Sequence, residues 1–374
     1  MRVERIDVFQ VDLPYSGGLY RLSGGREYRS FDSTIVRITT DDGTEGWGES
    51  TPFGGNYIAA HALGVRAGVA ELAPAVLGRD PRAVDRLTEA MDDVLAGHWH
   101  AKSPIDVACW DVFGKSAGLP VCELLGGSTR TPMGTISSIG SGDPEEMRAR
   151  VAEHRARGYL GHSVKIGASD AEGGPAIDAA RVEACLADRR PGEYFLVDAN
   201  AGMSPEAVLR FLRLMPPDAD IVLESPCATW AETRSVRART NVPMVLDELA
   251  QSEVDVVAAI RDDVADGIGL KISKAGGLTR SRRVRDLCLA AGMTMSVQDV
   301  WGSEIAFAAI VHLAATVPPQ SLRCILDTRD VSSVVTAWFE PVVSDDGILA
   351  PSAPGLGVTP DLTVLGDPVA TYAV

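Results

Sequence analysis

Between residues 133 and 326 the chain repeats one pattern eight times: a short apolar run, followed by a stretch of helical periodicity. The runs are 133–137, 163–166, 194–197, 221–223, 244–246, 268–270, 293–297 and 322–326. Most are continuous rather than alternating, as strands buried on both faces should be. Parallel strands of this kind need helical crossovers, and eight β/α units in succession are the content of a closed (β/α)8 barrel. Two of the crossovers carry clear helix starts. Asp143-Pro144-Glu145-Glu146 combines an N-cap, a proline at the first helical position and a glutamate three after the cap, and Ser204-Pro205 repeats the first two.

A barrel of this type takes about 250 residues, so the 374 present leave room for a smaller second domain. Residues 3–13 and 34–40 alternate, and Asp41-Asp42-Gly43 turns the chain into 45–49, which predicts an antiparallel meander. Helical spacing follows at 61–77, 82–95 and 103–117, the last stopped by Gly118 and Pro120. The expected architecture is therefore α/β. A modified (β/α)8 TIM barrel (131–335) carries an N-terminal α+β capping domain (1–130), and an irregular C-terminal segment (336–374) returns to complete that domain.

The net charge of −16, with 51 acidic against 35 basic residues, argues against a nucleic-acid partner. The charged start Met1-Arg2-Val3-Glu4-Arg5 has no apolar signal core, and no apolar stretch is long enough to span a bilayer, so a cytoplasmic protein with no membrane partner is expected. Six cysteines lack CxxC spacing and read as small buried hydrophobes.

Functional groups of a (β/α)8 barrel stand at the C-terminal ends of its strands. The residues closing successive runs include Lys165, Asp198, Glu224, Asp247, Lys271 and Asp299. Asp198, Glu224 and Asp247 are each about one β/α unit apart, so three carboxylates fall side by side on adjacent strands. Such a set repels itself unless a cation or protons intervene, and hard oxygen donors without Cys or His favour Mg2+. Asn200 and Glu248, just beyond these ligands, are candidates to orient them. Lys165 and Lys271 end the second and sixth strands, which are opposite one another in a barrel of eight. They would approach a metal-bound ligand from two sides, as general acid and base, with a pKa lowered by cationic surroundings. Lys274, three beyond its strand end, reads as an ordinary solvated or salt-bridged lysine. Two proton-transfer groups beside a divalent ion are suited to removing the α-proton of a carboxylate, because the ion stabilises the resulting enolate.

These residues, with Gly46-Trp47-Gly48-Glu49, Ala108-Cys109-Trp110-Asp111 and Leu124-Leu125-Gly126-Gly127, make the chain resemble the enolase superfamily, specifically its mandelate racemase and muconate lactonizing enzyme group. The resemblance implies an essential Mg2+ on Asp198, Glu224 and Asp247, acid/base lysines at 165 and 271, and a homo-oligomer. The group's usual Lys-x-Lys on the second strand is here Ser163-Val164-Lys165, so the catalytic lysine is kept and Ser163 stands where a lysine normally helps hold the substrate carboxylate. Histidine-based chemistry is disfavoured, since Gln298-Asp299 and Lys271 occupy the positions it needs.

Finer segments resemble the branch containing cis-3-hydroxy-L-proline dehydratases and the 2-epimerases of proline and hydroxyproline betaines. They are Gly97-His98 to Ala101-Lys102, Glu224-Ser225-Pro226-Cys227, residues 271–277, and Asp299-Val300-Trp301-Gly302-Ser303-Glu304. Asp299 and Trp301 would suit a cationic, ring-shaped ammonium by charge pairing and cation–π contact. Two first-domain loops, 16–26 and 52–57, are expected to close over the barrel mouth and bring Tyr20, Ser23, Arg26, Phe53 and Tyr57 to the substrate. The expected partner is a small carboxylate, a proline-like amino acid or betaine. The first expected reaction is dehydration of cis-3-hydroxy-L-proline, and the alternative is 2-epimerisation of a proline derivative. A cycloisomerase or a non-catalytic binding protein stands behind both.

Overall fold

The computed structural model describes residues 1–344 and 346–374. The first domain opens with Val3–Pro14 (β1), a short hairpin of Tyr20–Leu22 (β2) and Arg26–Tyr28 (β3), then Ser30–Thr40 (β4) and Glu45–Ser50 (β5). β1, β4 and β5 form the antiparallel meander that the alternation predicts, and the C-terminal strand Ala370–Ala373 adds to the free side of β1, pairing Arg5 with Ala373 and Val8 with Ala370. The last segment of the chain thus completes the first sheet.

Helices Ala62–Val76, Val84–Val94 and Trp99–Ala117 cover this sheet. The third lies directly on β5, and two glycines permit it: a Cβ on Gly48 would sit 2.0 Å from the carbonyl oxygen of Pro104, and one on Gly46 2.2 Å from that of Ala108. It begins at Trp99, a turn before the expected start at 103. Ser103-Pro104 imitates a start signal, but the helix runs through the proline and loses only one hydrogen bond near its N-terminal end. Gly118 ends it in the left-handed conformation.

The eight expected strands are all present: Thr135–Ile139 (β6), Gly161–Lys165 (β7), Tyr194–Asp198 (β8), Val222–Glu224 (β9), Met244–Leu246 (β10), Gly267–Lys271 (β11), Thr294–Gln298 (β12) and Leu322–Leu326 (β13). They pair in parallel in chain order and close through β13–β6. Asp143 and Ser204 cap their helices by accepting from the amides of Glu145 and Ala207. Inside the barrel Ile136, Leu196, Val245 and Cys324 pack into one apolar layer. Side chains alternate along a strand, so residues two further on point inward above that layer, and these include Asp198 and Asp247.

The motifs at the domain junction fasten the first domain to the barrel. The buried Glu49 carboxylate accepts from the amides of Ser303 and Ala306 at the N-terminus of helix Glu304–Ala314, where a negative charge is favoured. Trp110 donates to Thr279 and Asp106 accepts from the same residue. All six cysteines are free and buried, and among the described residues no helix is long and apolar enough to cross a membrane.

Candidate active site

The register of the barrel brings the carboxylates together. Asp198 and Glu224 are direct partners across β8 and β9, and Glu224 partners Val245, placing Asp247 one inward step further along β10. All three are at least nine-tenths buried, as are Lys165 and Lys271. They line one cavity at the barrel mouth together with Tyr57 and Trp301.

Each lysine lies against a carboxylate. Lys165 Nζ donates to Asp198 Oδ2 and, at 3.2 Å, to Ser163 Oγ. Across the cavity Lys271 Nζ donates to Asp247 Oδ2 and, at 3.0 Å, to the hydroxyl of Tyr57, which itself donates to Asp247 at 3.0 Å. These contacts oppose the pKa lowering expected of both lysines beside a bound cation. Burial is the largest effect and would lower Lys165, but Asp198, Tyr20 and Glu224 together outweigh it, and Asp247, Glu248 and Glu224 together do the same for Lys271, so both ammonium groups sit above their ordinary value. Asp247 shows the converse. Burial works to raise it, and Lys271 and Lys274 together pull it below the usual carboxylate range.

Lys274 is salt-bridged, as one of its two expected fates has it, but its partner is the site residue Asp247. The lysine is buried, and its ammonium donates to both the carboxylate and the backbone oxygen of Asp247. The short helix Ile272–Ala275 turns the chain back at the strand end and carries the lysine there. Sequence spacing gave no sign of this return.

Glu224 has no such partner. Its Oε1 is buried without a hydrogen bond, and burial with Asp198 and Asp247 alongside pushes its carboxyl well up. Asn200 donates to Asp198 Oδ2 (2.9 Å) and Glu248 Oε1 (3.3 Å), which ties the two ends of the carboxylate row together. Asn200 Oδ1 and Glu248 Oε2 also lack partners. Space beside Glu224 is secured by Gly269 on β11, where a Cβ would lie 3.1 Å from Glu224 Oε1. Among the described residues no three acidic, His or Cys side chains are gathered tightly enough to hold an ion as they stand, and each outer carboxylate is paired with a lysine. The donor set nonetheless fits Mg2+. It consists of hard oxygens only, includes unpartnered buried acceptors, and contains a carboxylate that burial and like charges leave uncompensated.

The first-domain residues divide. Tyr20 reaches across to Ser138 Oγ (2.6 Å), and Phe53 and Tyr57 line the cavity. Ser23 does not face it: its hydroxyl donates to the backbone oxygen of Asp198 and pins the hairpin to the barrel, and Leu22 takes the place at the cavity wall. Arg26 likewise donates to backbone oxygens, of Ser23, Asn56 and Asn200.

Asp299 and Trp301 both line the cavity, and each is also held by protein partners. The Asp299 carboxylate accepts from the amide and hydroxyl of Ser273 and the amide of Val300, and burial raises it to about 7. Its hydrogen bonds brace the chain beyond β11. Trp301 packs on Phe31 (4.1 Å between ring centres), Phe53 and Tyr20, forming an aromatic floor under both loops as well as one wall of the cavity.

Residues 28–126 match the N-terminal domain of the mandelate racemase / muconate lactonizing enzyme family, and residues 146–364 match the enolase C-terminal domain-like family. A cis-3-hydroxy-L-proline dehydratase of Roseibium aggregatum is 39% identical over the whole of both chains. An L-Ala-D/L-Glu epimerase of Bacillus subtilis is 26% identical over 96% of this chain and 97% of its own. A crystal structure from Roseovarius nubinhibens ISM, described as a mandelate racemase/muconate lactonizing enzyme complexed with magnesium, is 57% identical over the full length of both chains with a TM-score of 0.98. A sequence in register with enzymes over its whole length, on this barrel, is itself an enzyme, and the chain belongs to the mandelate racemase/muconate lactonizing enzyme group of the enolase superfamily.

Proposed function

We propose that this enzyme removes the α-proton of a proline-like amino acid bound by its carboxylate, and that its principal reaction is dehydration of cis-3-hydroxy-L-proline. The observation that carries the reading is the opposed pair Lys165 and Lys271, each buried and each reaching the row Asp198–Glu224–Asp247 from its own side of one cavity. The full-length dehydratase relative supports the choice of substrate.

Asp198, Glu224 and Asp247 would hold Mg2+, and the magnesium-bound structure of the Roseovarius relative supports that assignment. When bound, the ion supplies a Lewis acid that offsets the negative charge developing on the substrate carboxylate as the α-proton leaves. The chain's own groups do the rest. One lysine, in its neutral amine form, takes the proton from Cα, and the electron pair of that C–H bond forms the Cα=Cβ bond as the C3–O bond breaks. The departing hydroxide takes a proton from the ammonium of the opposite lysine and leaves as water, and the enamine tautomerises to the cyclic imine. Tyr57 and Lys274 hold Asp247 and Lys271 in place. The aromatic floor of Trp301, Phe31 and Phe53 excludes water, which strengthens each of these interactions.

The same opposition of lysines also favours a second reading, 2-epimerisation, since a proton removed on one face can be returned from the other. Incubation of the Mg2+-supplemented enzyme with cis-3-hydroxy-L-proline, L-proline and the betaines of proline and 4-hydroxyproline separates the two. Pyrroline formed from the 3-hydroxy substrate, abolished by chelator and restored by Mg2+, is the expected result. Inversion at Cα without elimination would assign the epimerase instead, and no reaction with any of the four would remove the proline-like substrate.

A further inference from the structure

Lys274, which bonds to Asp247, also lines a second cavity, of about 380 Å3, which the site described above does not use. Two long helices begin on it. In Trp99–Ala117 the first intrahelical bonds are donated by Ala101 and Lys102 to His98, and the N-cap His98 is left-handed and offers no side-chain cap, so the Trp99 and His100 amides have no acceptor among the described residues. Ala62–Val76 starts at His61, whose ring caps Gly64. Both N-terminal ends carry the positive pole of their helix toward the same space.

A buried side chain points independently to a ligand. His100 lines the cavity and is 7% exposed; its Nδ1 pairs with Ser50 Oγ at 3.1 Å, and its Nε2 has no partner among the described residues. Burial, helped by the charges of Lys274 and Lys271, pushes the ring down to about 3, so it is neutral. In the tautomer in which the Ser50 hydroxyl donates to Nδ1, Nε2 carries the hydrogen and is an unused donor, and it is this tautomer that the proposal below requires. The lining is also selective in charge. In a chain with 51 acidic residues, no Asp or Glu is among the residues that line this cavity, whereas His61, His98, His100 and Lys274 are.

We propose that this cavity binds a small organic carboxylate, its anionic end on the Trp99 and His100 amides and His100 Nε2, its apolar body against Ile58, Val65 and Ala101. A carboxylate suits it better than a phosphate. The lining holds no arginine, and the charge of Lys274 is committed to Asp247, so neutral donors carry the recognition and match a single delocalised charge.

Isothermal titration of the Mg2+-loaded enzyme with pivalate tests this, because pivalate has a carboxylate and an apolar body but no α-proton to lose. Ala59 stands exposed in the cavity lining and has no part in the active site. Saturable binding of pivalate is expected, weakened about tenfold or more in Ala59→Asp, where a carboxylate meets the ligand, and kept within about twofold in Ala59→Ser. Pivalamide and inorganic phosphate are expected to bind at least about tenfold more weakly. Pivalate binding that Ala59→Asp leaves unchanged would place the ligand elsewhere, in the active site for example, and overturn the proposal. So would its absence, pivalamide binding equally well, or phosphate binding more tightly.

Discussion

Replacing Tyr57 by phenylalanine deletes one oxygen atom from the centre of the proposed site and leaves its packing intact. That oxygen accepts from Lys271 and donates to Asp247, both at 3.0 Å. Burial, together with Asp247, Glu248, Asp198 and Glu224, holds the phenol far above its ordinary pKa, so it is a neutral donor at any working pH. Hydrogen bonds to charged partners are worth about 1.5–3 kcal/mol each. Because Lys271 and Asp247 remain in direct contact once the hydroxyl is gone, the two bonds do not add, and the loss should be that of about one. At 1.4 kcal/mol per tenfold this lowers kcat/KM by about 10- to 150-fold. The ring contacts with Phe53 and Lys271 survive the change, so the melting temperature should stay within about 2 °C of wild type. Steady-state turnover of cis-3-hydroxy-L-proline and a thermal melt check both halves. A kcat/KM within twofold of wild type would refute the view that the lid hydroxyl sets the position of Lys271.

Lys274→Met removes one of the two ammonium groups on Asp247 and should lower activity about tenfold or more, with a weaker dependence on added Mg2+ as the accompanying change, measured by titrating Mg2+ against initial rate. Gly48→Ala places a methyl 2.0 Å from the Pro104 carbonyl oxygen and should destabilise the first domain by about 1–3 kcal/mol, read as a lower denaturant midpoint. Asp106 is raised from 3.8 to about 6, first by burial and against the hydrogen bonds from Thr279. A carboxyl raised on folding contributes stability that is complete below pH 3.8 and lost as pH rises through 6, on the order of 3 kcal/mol across that window. Asp106→Asn should flatten the dependence of unfolding free energy on pH between those values.

The barrel was legible because its strands are buried on both faces, which leaves unbroken apolar runs whose last residues are the candidate functional ones. Lys165, Asp198, Glu224, Asp247 and Lys271 all follow from that one regularity, and the pairing of Lys165 with Asp198 across β7 and β8 is its geometric consequence. Residues off the regular elements were harder. Lys274 returns to Asp247 on a four-residue helix that carries no periodic signal. Ser23 and Leu22 exchange roles because a hairpin of three-residue strands has too little pattern to fix which side chain faces inward. Asp299 stands at a strand end like the metal-ligand candidates, yet turns its carboxylate to Ser273, a choice made by neighbouring donors rather than by position. Glu49 was readable as part of a motif, whereas its task, holding the barrel helix Glu304–Ala314, depends on contacts more than 250 residues away.

The central claim is that Lys165 and Lys271 move protons at Cα from opposite faces. Proton NMR in D2O, following exchange of the α-proton of L-proline and D-proline by wild type, Lys165→Ala and Lys271→Ala in the presence of Mg2+, tests it most directly. The account predicts that wild type exchanges at least one enantiomer and that each alanine variant loses exchange on its own face, so that the two are affected differently. Exchange at the wild-type rate in both variants would contradict it.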